Sequence, residues 1–530
     1  RIIQALKSVG YMEARYELGS IEKDHESGAV HASAHVKPGP RLKVDEAFLL
    51  WKEEETKTQV RDDKGETTTP TWLTPAWMQN QAQRIRRRYH QRGYPGVSIK
   101  VEYEYPQTSR GKTSSDDKKR AADATSSNAT PTGSSEVAAK VFFKVRSGPR
   151  VKIGNVRFKG DRVLDQAILR QTVPLQTGDL LDMTEVRETQ QKLARLDVFE
   201  DVEVSFDKSE PREWSLVYQL KALPKDSVDA IFGVGTFDII RAGFSWDRRN
   251  LFNRAHRSRT RVTQSFKTTD ANYRYSIPQV FGRNIEVFSN AEVLLRDEVS
   301  FDRQEIGLRI GTSYFWQDPG LRLSLDYAFE DLETADTRFS ASEGRVSSTA
   351  SSIRLQVNKN EIDNPLSPKK GYKVLSQLEV ATPALGGDVQ FMRLNLSASW
   401  HTGLGNGLYL HIGANHGLVD SFSSTSGNIP INKRFFPGGE NSLRGFGEGE
   451  ASPLNENDTE IGATSFTLGH VELAQKITDS WSVVLFTDLL GTAEQVSNYP
   501  VDESLFTSGL GVRYDTVVGP IRLEYGRNWN

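Results

Sequence analysis

The stretch Leu321-Arg322-Leu323-Ser324-Leu325-Asp326-Tyr327-Ala328-Phe329-Glu330 decides the fold. Large apolar side chains fall on every second residue with charged or small ones between them, and a period of two belongs to a strand. The pattern returns at Met392, Leu394, Leu396, Ala398 and Trp400, set between Arg393, Asn395, Ser397, Ser399 and His401. It returns at Leu408, Leu410, Ile412 and Ala414, and again at Ile521, Leu523 and Tyr525. From residue 227 onward fifteen segments of this kind are expected as strands: 227–236, 239–248, 257–268, 271–278, 284–295, 302–316, 320–333, 350–358, 371–382, 389–402, 407–419, 464–475, 480–488, 505–515 and 518–526.

Such a series is either a stack of soluble antiparallel sheets with polar faces to water, or a transmembrane barrel with apolar faces to lipid. Fifteen strands exceed an ordinary sandwich, and many reach the roughly 9–11 residues that cross a bilayer at a tilt. Aromatic residues close several strands (Tyr314, Phe315 and Trp316; Phe329; Trp400; Trp481), where a membrane interface places them. The barrel is the expected architecture. Unpaired backbone groups in hydrocarbon cost several kcal/mol each, so every strand needs two neighbours and the sheet must close. Bacterial single-chain barrels have even strand numbers, so sixteen strands are expected, the last beyond Asn530.

The bulk composition agrees. A chain of 530 residues exceeds one ordinary soluble core. Its 67 Lys and Arg nearly cancel 69 Asp and Glu, which argues against a nucleic-acid binder held by charge. An apolar fraction of 37% and a mean hydropathy of −0.52 exclude a helical membrane protein, but a barrel needs apolar residues on one face only. The absence of Cys removes disulfide scaffolds, thiol catalysis and Cys-ligated metal sites. Arg1 opens within a helical pattern, so the chain reads as trimmed at both ends.

Residues 1–223 carry a different, repeating unit: an amphipathic helix, a short turn with an aromatic, then two strands. The first copy runs from Ile2 to Lys43 with the turn Val9-Gly10-Tyr11. The second has a helix from Pro75 to Arg92, capped by Thr74, then Gly93-Tyr94 and the strand Val97–Val101. The third reads as a strand Val151–Lys159, helices Asp165–Gln171 and Thr184–Leu196, and strands Val202–Phe206 and Trp214–Leu220. The closing segments rhyme, Val36-Lys37-Pro38-Gly39-Pro40-Arg41-Leu42-Lys43 against Val145-Arg146-Ser147-Gly148-Pro149-Arg150-Val151-Lys152. The expected division is a partial module at 1–43, a second at 44–148, a third at 149–223, and the barrel at 224–530. Within the second module, residues 53–70 and 107–137 hold few large apolar residues and are expected to be disordered insertions.

The longest segment between barrel strands, 420–463, contains Arg434-Phe435-Phe436-Pro437-Gly438-Gly439-Glu440-Asn441-Ser442-Leu443-Arg444-Gly445-Phe446. This run resembles the signature loop of the BamA/TamA superfamily of outer-membrane assembly barrels, a hydrophobic residue followed by Arg-Gly-Phe/Tyr. The β-α-α-β-β modules resemble POTRA domains, which precede such barrels in the periplasm. Asp363-Asn364-Pro365-Leu366-Ser367-Pro368 and Gly519-Pro520-Ile521-Arg522-Leu523 resemble further family segments. The Phe-Pro-Gly-Gly-Glu-Asn form and three visible modules look more like TamA than BamA. In that family the loop folds into the lumen and its Arg meets a Phe-x-Asp motif on an inward strand face, matched here by Phe486 and Asp488. The family more often has Gly two residues after that Asp; here Gly491 is three after. Strand parity agrees independently: with Trp481, Val483 and Leu485 toward lipid, Ser482, Val484, Phe486 and Asp488 face the lumen. Arg444 is expected to fork onto Asp488, with Gly445 allowing the turn, Phe446 stacked beside Phe486, and Leu443, Gly438 and Gly439 completing the loop motif.

The resemblance implies an insertase of the bacterial outer membrane that helps β-barrel or autotransporter clients fold through a lateral seam between the first and last strands. The first strand, around Val228 to Ile239, carries Gly233 and Gly235, which weaken its packing, and an opened seam offers backbone groups to a client strand. Expected partners are unfolded clients, outer-membrane lipid and an inner-membrane or periplasmic accessory protein, with no nucleic acid and no cofactor or metal. The competing readings are a two-partner-type secretion transporter passing an unfolded protein through the lumen, and a solute porin. An enzyme is not expected. His-Glu-x-x-His, Gly-x-Ser-x-Gly and phosphate-loop patterns are absent, and His470 with Glu472 reads as a lumenal polar pair. Asp326, Glu330 and Glu524 are expected to form lumenal charge networks with Arg322, Arg393 and Arg522.

Overall fold

The computed structural model describes residues 2–23, 30–51, 57–59, 71–106, 136–160, 164–316, 320–335, 347–422, 429–495, 504–516 and 519–529. They form two compact units. One is Arg1–Gly160 with Val173–Leu193 and Asp201–Leu220; the other is Asp161–Thr172 with Ala194–Glu200 and Lys221–Asn530.

The first unit begins with α1 (Ile2–Ser8) and the hairpin of β1 (Arg15–Lys23) and β2 (Val30–Lys37). β3 (Arg41–Trp51), β4 (Lys57–Gln59), α2 (Pro75–Gln91), β5 (Ser98–Glu104) and β6 (Glu136–Arg146) follow, with sheet order β4–β3–β6–β5 and β3 parallel to β6. Alternation in β6 buries Ala139, Val141 and Phe143 against Leu42 and Val44 of β3 and Ile85 and Tyr89 of α2. Thr74 caps α2, its hydroxyl oxygen accepting the Trp77 N–H at 3.1 Å, with Pro75 in the first turn. The expected insertions at 53–70 and 107–137 lie almost wholly outside the described residues. Where they are described they are strand: Lys57–Gln59 pairs with β3, and Glu136-Val137 opens β6. The strand register of Phe48–Leu50 there outweighs the polar composition.

The chain continues through β7 (Lys152–Lys159), α3 (Gln166–Thr172), α4 (Met183–Ala194), β8 (Phe199–Glu210) and β9 (Glu213–Ala222), the three strands in sheet order β7–β9–β8. α4 turns Val186, Thr189 and Leu193 inward.

The rhyming Gly-Pro-Arg segments make the same joint twice. Gly39 and Gly148 take positive φ of 71° and 73°. Arg41 Nε then donates to the Val9 carbonyl at 2.8 Å, and Arg150 Nε to the Arg92 carbonyl at 3.1 Å. The next N–H, of Leu42 or Val151, donates to Gly10 or Gly93 at 2.9 and 2.8 Å. The last carbonyls of a helix lack internal partners and carry the negative end of its dipole, so a cationic donor from the following strand suits them.

The second unit is a fifteen-stranded antiparallel meander in which each strand pairs with its sequence neighbours: β10 (Asp226–Gly235), β11 (Ile239–Leu251), β12 (His256–Ser265), β13 (Thr268–Ile277), β14 (Ile285–Asp297), β15 (Asp302–Trp316), β16 (Leu321–Ala335), β17 (Ser347–Asn360), β18 (Gly371–Ala381), β19 (Phe391–Gly405), β20 (Leu408–Asp420), β21 (Ser465–Lys476), β22 (Trp481–Ala493), β23 (Ser504–Thr516) and β24 (Gly519–Asn528). Every segment marked from the alternation is a strand. Ile239 opens β11 and does not close the first strand, because Thr236 to Asp238 turn. Along β16, Leu325, Tyr327 and Phe329 are exposed while Asp326, Ala328, Glu330 and Leu332 are buried, so the apolar face is the outer one. That inversion suits hydrocarbon, not water. Trp481 and Tyr514 pair rings at 4.8 Å, and Tyr314 and Trp316 at 4.4 Å. Phe315 departs from the aromatic set: parity turns it inward, its ring 5.9 Å from the Arg322 guanidinium. No described helix is long and apolar enough to cross a membrane.

Candidate functional site

The segment between β20 and β21 folds into the lumen on three apolar supports. Ile429 and Phe435 pack with Leu332, Ala350, Ala381, Phe391 and Val419 of the wall from β16 to β20. Ile431 and Ile461 pack on Phe301. Leu443, wholly buried, packs with Ala451, Leu468 and Leu490, and Phe446 and Phe466 lie against them. The two limbs are tied to each other by reciprocal bonds between Phe435 and Ala463, at 3.0 and 2.7 Å. A segment that touches β16 to β20 and also β21 and β22 requires the sheet to curl around it.

Between Phe436 and Leu443 the chain reverses. Gly438, at φ 128°, could not carry a side chain, since a Cβ would stand 2.4 Å from the Gly447 carbonyl oxygen. Gly439, at φ 90°, leaves room for the Glu448 carboxylate.

Arg444 is the centre of the site. Its Nε donates to Asp488 Oδ2 at 2.8 Å, one terminal nitrogen to Asp488 Oδ1 at 2.7 Å, and the other to Glu472 and Glu524, each at 3.1 Å. The guanidinium lies 3.6 Å from the centre of the Phe486 ring. Arg513 completes the cluster on Glu472 and Glu524. Asp488 and Phe486 are buried because β22 alternates as its sequence does, with Val483 and Leu485 outward. Phe446 does not take the expected place beside Phe486. Arg444 lies over that ring, where a cation gains from the π face, and Phe446 joins the Leu443 cluster instead. Gly445, at φ 98°, brings the loop backbone against Gly526 of β24.

A second anchor was not legible in the sequence. Lys433 Nζ reaches Glu330 Oε2 at 2.5 Å and Glu379 Oε1 at 3.3 Å, and Arg354 pairs with the same two carboxylates. All four side chains are at most 7% exposed. Two cations against two anions can be stable in a dry site only because each neutralises the others. Beside it, Asn432 Oδ1 accepts from the Thr334 hydroxyl at 2.7 Å, and the Asn432 backbone carbonyl accepts from Arg303 at 3.1 Å. Glu330 and Glu524 are lumenal as expected; their direct ion-pair partners are Arg354, Lys433, Arg444 and Arg513, while Arg522 interacts with Glu524, and Arg393 with Glu379, through charge alone. Arg393 lies 4.6 Å from the Phe435 ring, and Arg522 stands opposite Arg513 in register. Glu472 is drawn from His470 into the Arg444 cluster, while the His470 ring occupies the space over Gly413. The only hint for Lys433 was a charged residue following the apolar Ile429-Pro430-Ile431.

Gly233 and Gly235 lie on β10. A Cβ on Gly233 would meet only Arg241 Cβ, at 4.0 Å. Phe232 and Val234 on the same strand are more than 80% exposed.

Residues 250–530, more than half of the chain, match the Omp85 superfamily domain, and residues 151–222 match POTRA, a surface antigen variable number repeat. The chain belongs to the Omp85 superfamily. An outer membrane protein assembly factor BamA of Nitratidesulfovibrio vulgaris is 21% identical over 397 residues, 73% of this chain and 50% of its own length. The chain spans about half the length of the curated BamA relatives it matches. Among solved structures, BamA from Haemophilus ducreyi lacking POTRA domains 1–3 superposes with a TM-score of 0.63 at 16% identity, covering 92% of this chain and 96% of that one. CdiB from Acinetobacter baumannii gives 0.51 at 12% identity, covering 88% and 80%. Both likenesses are of fold. This Omp85 chain is an outer-membrane barrel preceded by periplasmic POTRA modules.

Proposed function

We propose that this Omp85 protein assists the assembly of β-barrel or autotransporter clients into the outer membrane, presenting its first barrel strand to them at a lateral seam, without catalysing a reaction. The observation that supports this most is the seated loop. Arg444 and Lys433 each hold it by buried ion pairs on different parts of the wall, so the lumen is occupied. The strand on which a client can add is then β10, outermost in the sheet order, short, and carrying exposed Phe232 and Val234. Strand addition to such an edge gains backbone hydrogen bonds that hydrocarbon makes strong. Unfolded clients, surrounding lipid and a periplasmic or inner-membrane helper are the partners this reading calls for. The TamA-like form of the loop motif favours the autotransporter branch.

The second reading is a secretion transporter, favoured by the CdiB likeness in fold. It needs the loop to leave the lumen. Photo-crosslinking from Phe232, compared with Asn441 on the lumenal loop, separates the two. Adducts with newly exported barrel proteins at Phe232 support assembly; adducts confined to Asn441 overturn it in favour of transport.

A further inference from the structure

Glu440 belongs to the loop motif, yet its side chain does not join the Arg444 cluster. Its Oε2 accepts the Thr236 N–H at 2.9 Å and the Thr236 hydroxyl at 3.1 Å. Thr236 immediately follows Gly235, the last residue of β10, and begins the turn into β11. A Cβ on Gly235 would stand 2.6 Å from Glu440 Oε1, so the glycine leaves the space that the carboxylate fills. Four residues further along, Arg444 pairs with Glu524 of β24. Gly445 follows, so close to β24 that a Cβ on Gly526 would stand 2.8 Å from its nitrogen. Six consecutive loop residues therefore reach both the first strand and the last described strand of the meander.

We propose that Glu440 is a positioning residue that ties the inserted loop to the first barrel strand. The loop seated by Arg444 thereby also fixes the end of β10. Two hydrogen bonds to a carboxylate are of the stronger, charge-assisted kind, and Thr236 supplies both from one residue. Release of this tie frees the β10–β11 turn while the Arg444 seat stays in place. The functional weight of the tie rests on the reading that clients add at β10.

The sequence contains no Cys, so a pair of introduced cysteines carries spin labels without background. Ile239 and Asn441 are exposed positions on the two sides of the tie, and Asn441 with exposed Leu489 of β22 reports the loop seat. Pulsed EPR on Ile239→Cys/Asn441→Cys in lipid bilayers should give one narrow distance distribution. Glu440→Ala should broaden and lengthen it, as should Gly235→Val, whose side chain would occupy the carboxylate's space. Glu440→Gln, which keeps an acceptor oxygen, should restore it. Asn441→Cys/Leu489→Cys should be unchanged throughout. An Ile239–Asn441 distribution unmoved by Glu440→Ala overturns the proposal, and so does joint broadening of both pairs, which would make Glu440 part of the general seat. No client is present, so failure here leaves the assembly reading standing. Absence of client adducts at Phe232 would end that reading and leave the tie intact.

Discussion

Arg444 forks onto Asp488, Nε to Oδ2 at 2.8 Å and a terminal nitrogen to Oδ1 at 2.7 Å, on a carboxylate with no exposed surface. Removing one member of such a pair leaves the other charged and buried. Arg444→Ala, which strands Asp488, should cost about 3–5 kcal/mol of barrel stability, and Asp488→Ala less, because Glu472 and Glu524 still hold Arg444. The double variant should cost less than the sum. Arg444→Lys keeps the charge but loses the fork, and should fall between. Urea titration of the gel-shift between folded and unfolded barrel in detergent measures all four.

Lys433 supplies a second and separate anchor on Glu330 and Glu379. Lys433→Met leaves two buried carboxylates to Arg354 alone and should destabilise the barrel. Pairing it with Glu330→Gln should recover part of the loss, because the surplus negative charge goes with it. A double-mutant cycle should show a coupling of about 1–3 kcal/mol; strict additivity would remove this anchor from the account.

The two arginine joints of the first unit should act on module orientation more than on stability. Each Arg41 or Arg150 bond to a helix-end carbonyl is worth about 0.5–1.5 kcal/mol. Arg41→Ala and Arg150→Ala should leave the modules folded while widening the label-to-label distance distribution across the affected joint, measured by pulsed EPR between cysteines placed on either side.

Glu185, in the first turn of α4, has its pKa held above the ordinary carboxylate value by burial, reinforced by Asp182 and Asp179. A carboxyl whose folded pKa is raised contributes stability at pH below its unfolded pKa, and that contribution is lost as pH rises through the folded value. Glu185→Gln should therefore raise the denaturant midpoint of the first unit at neutral pH, with the advantage over the unaltered protein vanishing in acid. Tryptophan fluorescence follows the transition across that range.

The strands were legible because lipid on one side and a polar lumen on the other impose a period of two, as at Leu323, Leu325 and Tyr327. Helix α2 was legible because Thr74 and Pro75 are local signals. The Arg444–Asp488 contact was legible through the family resemblance and the parity of β22. Lys433, Arg354 and Arg513 were not, since which buried cation meets which carboxylate depends on the curl of the wall and leaves no period in the chain. The place of Phe446 was misjudged for a related reason: two partners compete for the Phe486 ring, and the guanidinium takes it. Lys57–Gln59 escaped because a three-residue edge strand is held by β3, not by its own composition.

On the proposed function, clients are assembled with the lumenal loop in place. Thr334 on β16 and Asn432 on the loop are hydrogen-bonded at 2.7 Å, and the chain has no other cysteine to interfere. Oxidation of Thr334→Cys/Asn432→Cys should lock the loop to the wall. The decisive quantity is the rate of client insertion into proteoliposomes, measured with and without reductant. Insertion by the oxidised form within about twofold of the reduced form is the result predicted here; insertion that stops on oxidation and returns with reductant would contradict it.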